Sequence, residues 1–136
     1  EGRVESLVFT HDEKFLISGS RDLSIKVWNL SEKRCVHSFE LAHNSKYYFL
    51  LVTLDNNISF AVSKNDRFLI SGASDLDIKI WDLKKKEIKY TIPKAHLSKS
   101  WAIYCIILGD ITCLSLGRDE SYLASGSKDR SIRIWD

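Results

Sequence analysis

The sequence predicts an all-β fold built from repeated, four-stranded antiparallel units. Three observations carry that prediction. A twelve-residue pattern occurs three times, as Ser18 to Asn29 (SGSRDLSIKVWN), Ser71 to Asp82 (SGASDLDIKIWD) and Ser125 to Asp136 (SGSKDRSIRIWD). Its register is strict: Trp28, Trp81 and Trp135 are 53 and 54 residues apart, and Gly19, Gly72 and Gly126 keep the same steps, as do Asp22, Asp75 and Asp129. Between the copies lie short β-rich apolar runs separated by turn residues, which is how an all-β repeat reads.

The elements follow in order. Val4 to Phe9 is predicted as a strand, and His11-Asp12-Glu13-Lys14 as a turn. Phe15 to Gly19 is a second strand, closed by the tight turn Ser20-Arg21-Asp22. Ile25 to Trp28 alternates with Ser24 and Lys26, the period-two signature of a third strand. Cys35 to Phe39 is the fourth, after the turn Ser31 to Arg34. The series restarts with Ile58 to Val62, Arg67 to Ser71, Ile78 to Trp81 and Ile88 to Ile92. A third series gives Ile111 to Leu116, Tyr122 to Ser125 and Ile132 to Trp135, with no fourth strand after it. The single proline, Pro93, follows a strand, where a missing backbone donor does little harm.

Composition narrows the function classes. The chain has 136 residues, 44% hydrophobic content and a formal charge of +2, an ordinary globular balance. That charge gives no basic footprint for nucleic acid, so no nucleic-acid partner is expected. Lys84-Lys85-Lys86 is the densest basic run and reads as a solvated turn, with phosphate or membrane contact as the lesser reading. Cys35, Cys105 and Cys113 form no Cys-x-x-Cys pair, so zinc is not expected, and reduced, packed thiols point to a cytoplasmic or nuclear setting. The longest apolar run, Trp101 to Leu108, is far too short for a membrane span.

The repeated residues resemble WD40 repeats, the G-protein β type of unit that builds β-propellers from four-stranded blades. The resemblance covers nearly the whole chain. Asn29 replaces the final Asp of the first copy, and Ala42-His43 and Ala95-His96 stand where the family has Gly-His. It implies blade 1 at about 1–43, blade 2 at about 44–96 and blade 3 at about 97–136, the last without its fourth strand. It also implies a buried structural tetrad in each full blade. His43, Ser71, Asp75 and Trp81 would form it in blade 2, and His96, Ser125, Asp129 and Trp135 in blade 3. Blade 1 keeps Ser18, Asp22 and Trp28. In that relay the indole N–H donates to Ser, Ser to the His ring, and His to Asp. Ser, His and Asp together also suggest a hydrolase triad. Their recurrence once per blade, each tied to a Trp, marks a structural device, so no enzyme and no cofactor is expected.

Two features depart from the pattern. The period exceeds the family's usual 40–45 residues by roughly ten. The excess falls in residues 45–54 (SKYYFLLVTL) and 98–108 (SKSWAIYCIIL), at equivalent places. These inserts are open to three readings: extended arms packed on the blades, an apolar patch that docks a partner, or translated non-coding sequence. Length is the second departure, because propellers close with about four to eight blades. Three blades are therefore expected to be an incomplete propeller fragment of a longer protein or of a partner-completed assembly, with possible self-association through open blade edges.

The function implied is a non-catalytic protein–protein interaction scaffold that binds protein or peptide partners. The alternative is a regulatory or targeting arm of a multidomain enzyme, such as a kinase, NTPase or ubiquitin ligase. Arg21, Ser74 and Lys128 precede the turn aspartates and are expected to point outward as partner contacts. Tyr47, Tyr48, Phe49 and Trp101 of the inserts join them as candidates.

Overall fold

The computed structural model describes residues 2–43, 58–96 and 109–136. Eleven strands lie among them: β1 (Val4–Phe9), β2 (Phe15–Ser20), β3 (Ile25–Asn29), β4 (Arg34–Phe39), β5 (Ile58–Val62), β6 (Phe68–Ala73), β7 (Ile78–Asp82), β8 (Glu87–Ile92), β9 (Ile111–Leu116), β10 (Leu123–Ser127) and β11 (Ile132–Trp135). They form three antiparallel sheets, ordered β1-β2-β3-β4, β5-β6-β7-β8 and β9-β10-β11. Every strand read from the sequence is present, with ends displaced by no more than two residues. The two inserts, with Tyr47, Tyr48, Phe49 and Trp101, lie outside the described residues.

The sheets stack face to face, with β1 against β5 and β5 against β9 along the inner edge. Strand alternation divides the apolar residues between two interfaces. Leu69 and Trp81 pack towards blade 1, where Ile17, Ile25 and Val27 complete the cluster. Their sequence neighbours Ile70, Ile78 and Ile80 pack the other way, against Ile111 and Leu123. Both faces of the middle sheet are thus covered, and β5 and β6 read as nearly continuous buried runs. Each fully buried Leu or Ile contributes about 1.5–3 kcal/mol. Gly19 and Gly72 let the next inner strand come close: a Cβ would stand 2.6 Å from Ile58 Cγ2 at the first and 2.5 Å from Ile111 Cγ2 at the second.

The outer sheets show what the stacking covers. Ile25 and Val27 of β3 are 0% and 9% exposed against blade 2, whereas the matching Ile132 and Ile134 of β11 are 79% and 70% exposed. Tyr122 lies on the same open face, and Leu7 and Phe9 are exposed on the opposite side of blade 1. Cys113, expected to be packed, is also exposed.

The turns hold a feature absent from the sequence reading. Ten described residues have positive φ, and none of them is glycine. Leu23, Leu76 and Arg130 occupy the left-handed region in the β2–β3, β6–β7 and β10–β11 turns, at φ 67°, 69° and 68°. There a type I turn closes with a left-handed residue, the favoured three-residue hairpin. A side chain in that region costs roughly 1–2 kcal/mol. Arg130 is exposed. Arg130→Gly is therefore expected to raise stability by about 0.5 kcal/mol, the relieved strain being partly offset by the greater freedom of the unfolded chain. Thermal unfolding followed by circular dichroism checks it, and a lower melting temperature would contradict it.

Candidate functional site

Antiparallel pairing puts the β2–β3, β6–β7 and β10–β11 turns at one end of the blades, together with the connections that follow β4 and β8. The tetrads assemble there. In blade 2, Trp81 Nε1 donates to Ser71 Oγ at 2.8 Å, and His43 Nε2 lies 2.7 Å from the same oxygen. His43 Nδ1 is 2.8 and 3.0 Å from the two Asp75 carboxylate oxygens. A carboxylate only accepts, so Nδ1 carries the donated proton, and in the neutral ring Nε2 accepts from the Ser71 hydroxyl. Blade 3 repeats the arrangement. Trp135 Nε1 donates to Ser125 Oγ at 2.8 Å, His96 Nε2 is 2.7 Å from that oxygen, and His96 Nδ1 is 3.1 Å from Asp129 Oδ2.

Blade 1 brings fewer of these groups together. Trp28 Nε1 donates to Ser18 Oγ at 2.9 Å. Asp22 instead accepts from Ser24 Oγ at 2.6 Å and from the Gly2 N–H at 2.9 Å.

Burial decides against a hydrolytic role for Ser71, His43 and Asp75. Ser71 and His43 are 0% exposed and Asp75 is 5% exposed, so no substrate carbonyl reaches Ser71 Oγ. Its hydroxyl is already held between the indole N–H and the imidazole. The relay fixes the tight turn to the strand behind it, and leaving one such group unsatisfied costs about 1–3 kcal/mol.

The sequence reading missed a fifth member. Lys79 Nζ donates to the Ala42 carbonyl at 2.6 Å and lies 3.6 Å from Asp75 Oδ2. In blade 3, Arg133 donates to the Ala95 carbonyl, also at 2.6 Å. Each cation clamps the residue before the tetrad histidine. The signal was in the sequence, since Lys26, Lys79 and Arg133 all stand two places before the repeat Trp.

Arg21 and Lys128 are less free than an outward-pointing contact residue. Arg21 Nε pairs with Glu5 Oε1 at 2.9 Å, and Lys128 Nζ with Asp110 Oδ2 at 3.0 Å. Their side chains keep 30% and 31% of their exposure, and Ser74 is half-buried. Their backbones prolong the ladder, with Arg21 N–H donating to the Arg3 carbonyl and Lys128 N–H to the Asp110 carbonyl. The ion pairs thus tie the Arg21 and Lys128 side chains back to the inner edge of their blades. No group of three or more His, Cys, Asp or Glu side chains placed to hold a metal ion occurs among the described residues.

The turn aspartates titrate low. Burial pushes the Asp75 carboxyl up, but the hydrogen bond from His43, the Lys79 ammonium and the Asp77 N–H outweigh it. At Asp129 the Ser131 and His96 hydrogen bonds likewise outweigh burial. The Ser24 hydroxyl holds Asp22 well below the usual carboxylate range. A depressed folded pKa means that the native state binds fewer protons than the unfolded chain. The stabilisation is then fully present above the unfolded Asp value of about 4 and is lost as pH falls through the folded values. The melting temperature is expected to be flat from neutral pH to about 5 and to fall steadily below about 4. Asp75→Asn is expected to be less stable at neutral pH and to show a shallower acid limb in the same thermal scan.

The comparisons with known proteins agree with this geometry. The model for the WD domain, G-beta repeat, matches residues 1–29, 33–82 and 89–136. The chain belongs to the WD40 family. The first two matched WD40 segments end at Asn29 and Asp82, the last residues of the third strands of their sheets. Repeat and sheet are thus offset by one strand, and His43 follows β4 yet joins the tetrad of blade 2. Mitochondrial division protein 1 of Saccharomyces cerevisiae is 28% identical over 98% of this chain and 21% of its own length. Small ribosomal subunit protein RACK1y of Oryza sativa is 28% identical over 88% of this chain and 43% of its own. The crystal structure of the RRP9 WD40 repeats superposes with a TM-score of 0.73 at 23% identity, covering 99% of this chain and 36% of that one, and shows the shared fold. The chain spans less than half the length of each.

Proposed function

We propose that this chain is a non-catalytic protein–protein interaction scaffold that recognises partners with the tight-turn end of its blades. One observation carries the reading. In blades 2 and 3 the Ser, His and Asp side chains are consumed in buried relays that hold the tight turn, so the chemistry of this end serves to position a surface. Its proposed contacts are Arg21, Ser74 and Lys128, which precede the turn aspartates of the three blades. Loops held on a rigid frame are where such repeats recognise peptides and protein surfaces. Membership of the WD40 family supports the reading, as do relatives named for a ribosomal subunit and for mitochondrial division. An intracellular, cytoplasmic or nuclear setting goes with it. The insert aromatics Tyr47, Tyr48, Phe49 and Trp101 are proposed as further contacts. As the arm of a multidomain enzyme, the chain would perform the same recognition task.

The test is quantitative cross-linking and mass spectrometry in cells, comparing the chain with an Arg21→Ala/Lys128→Ala variant. Circular dichroism reports whether the variant is still folded. A discrete set of partners lost at unchanged fold is expected. An unchanged partner set, or a partner set lost only along with folding, would overturn the assignment to this end.

A further inference from the structure

The opposite end of blades 1 and 2 carries a second candidate surface. A cleft of about 470 Å³ opens there between the outer strands β3 and β4 and the turn that follows β7. Phe15, Val27, Val36 and Phe39 make its apolar wall, and Leu83 faces them from blade 2. Lys84 and Lys86 stand at its mouth, together with His37. The basic run that reads as a solvated turn in the sequence is thus placed on the rim of an apolar cleft.

A local irregularity opens the cleft. In β4 the register slips between Val27 and Trp28, leaving Val36 as the extra residue, with Val36 and His37 both on the lining. Blade 2 has the same bulge at Lys89, and there the Lys89 ammonium lies 4.3 Å above the Phe68 ring. Phe68 corresponds to Phe15 and Lys89 to Val36. A short valine in place of the covering lysine leaves the Phe15 side of blade 1 open.

No carboxylate lies within ion-pair distance of Lys84 or Lys86 among the described residues. Asp66, the acid of the lining, accepts from the His11 and Asp12 N–H groups at 2.6 and 2.9 Å and is already engaged. Burial, with the Lys86 charge beside it, pushes the His37 pKa down, so its ring is neutral at pH 7 and makes no demand for a counter-ion of its own.

We propose that this cleft is a docking site for a short acidic peptide segment bearing one large apolar side chain. The apolar residue would fill the space beside Phe15, Val27 and Val36, and its acidic neighbours would meet Lys84 and Lys86. The volume lies in the range of ligand pockets and suits a side chain or two rather than an extended lipid tail. Glu32, on the β3–β4 turn, and Glu87, at the start of β8, are exposed nearby, which breaks up any broad positive face for a membrane. The inference extends the interaction-scaffold reading to a second face, and it rests on residues that the tight-turn end does not use.

The probe is the peptide N-acetyl-Asp-Glu-Phe-Asp-Glu-amide, titrated into the isotope-labelled chain and followed by NMR. Saturable shifts confined to the residues lining the cleft are expected. The Lys84→Ala/Lys86→Ala variant, altered only at exposed positions, is expected to bind at least about tenfold more weakly, and so is the peptide with Ala for Phe. Val36→Phe, which plugs the cleft, is expected to abolish the shifts. Arg21→Ala is expected to leave the affinity unchanged, which separates this site from the tight-turn end. No shifts at millimolar peptide would overturn the proposal. So would binding insensitive to both the lysines and the Phe, or tighter binding to phosphatidylserine vesicles that survives Val36→Phe.

Discussion

Trp81→Ala is expected to cost about 3–5 kcal/mol, enough to unfold much of the chain at physiological temperature. The indole is 2% exposed, packs against Phe39 with ring centroids 4.7 Å apart, and donates to Ser71. Its removal opens a cavity at the interface of blades 1 and 2 and takes the donor from the relay. Trp28→Ala is expected to cost less, because Trp28 is half-buried and its blade face is partly open. Urea unfolding of both variants gives the comparison. Equal losses would mean that burial of the ring in the stacking interface does not set the cost.

His43→Ala is expected to cost about 3 kcal/mol, through loss of a fully buried ring and of a hydrogen bond to a buried carboxylate. Asp75 would keep Lys79 at 3.6 Å and the Asp77 N–H at 3.2 Å, which holds the cost towards the lower end of that seen for broken buried pairs. The variant makes a second prediction. His43 is among the groups that hold the Asp75 pKa down, so its removal moves that pKa upward. The part of the acid limb that Asp75 contributes is then shallower than in the parent chain, its onset still set by the unfolded carboxyl value of about 4. Thermal scans from neutral pH to about 3 check both effects, and an unchanged acid limb would contradict the assigned partner.

The strands were legible because the repeat states each of them up to three times. Ile25-Lys26-Val27-Trp28 alone is ambiguous, but Ile78 to Trp81 and Ile132 to Trp135 remove the ambiguity. The tetrad was legible only by resemblance. Nothing in the spacing of His43 from Asp75, 32 residues apart, requires contact until the offset between repeat and sheet is known.

What the sequence did not yield depends on three-dimensional neighbours. The pairing of Arg21 with Glu5 and of Lys128 with Asp110 is set by how the inner strand lies beside the tight turn. Left-handed Leu23, Leu76 and Arg130 look like ordinary strand or surface residues, because the hairpin geometry overrides their preference. The cleft arises from a bulge in β4, and its character turns on Val36 standing where blade 2 has Lys89.

Hydrogen exchange at the Trp81 indole N–H tests the central claim most directly, namely that the Ser, His, Asp and Trp groups form a closed structural relay. The account predicts exchange only through global unfolding, with a protection factor that falls in step with stability as urea is added. Exchange at the rate of a free indole, in a chain that is folded by circular dichroism, would show an open site and contradict it.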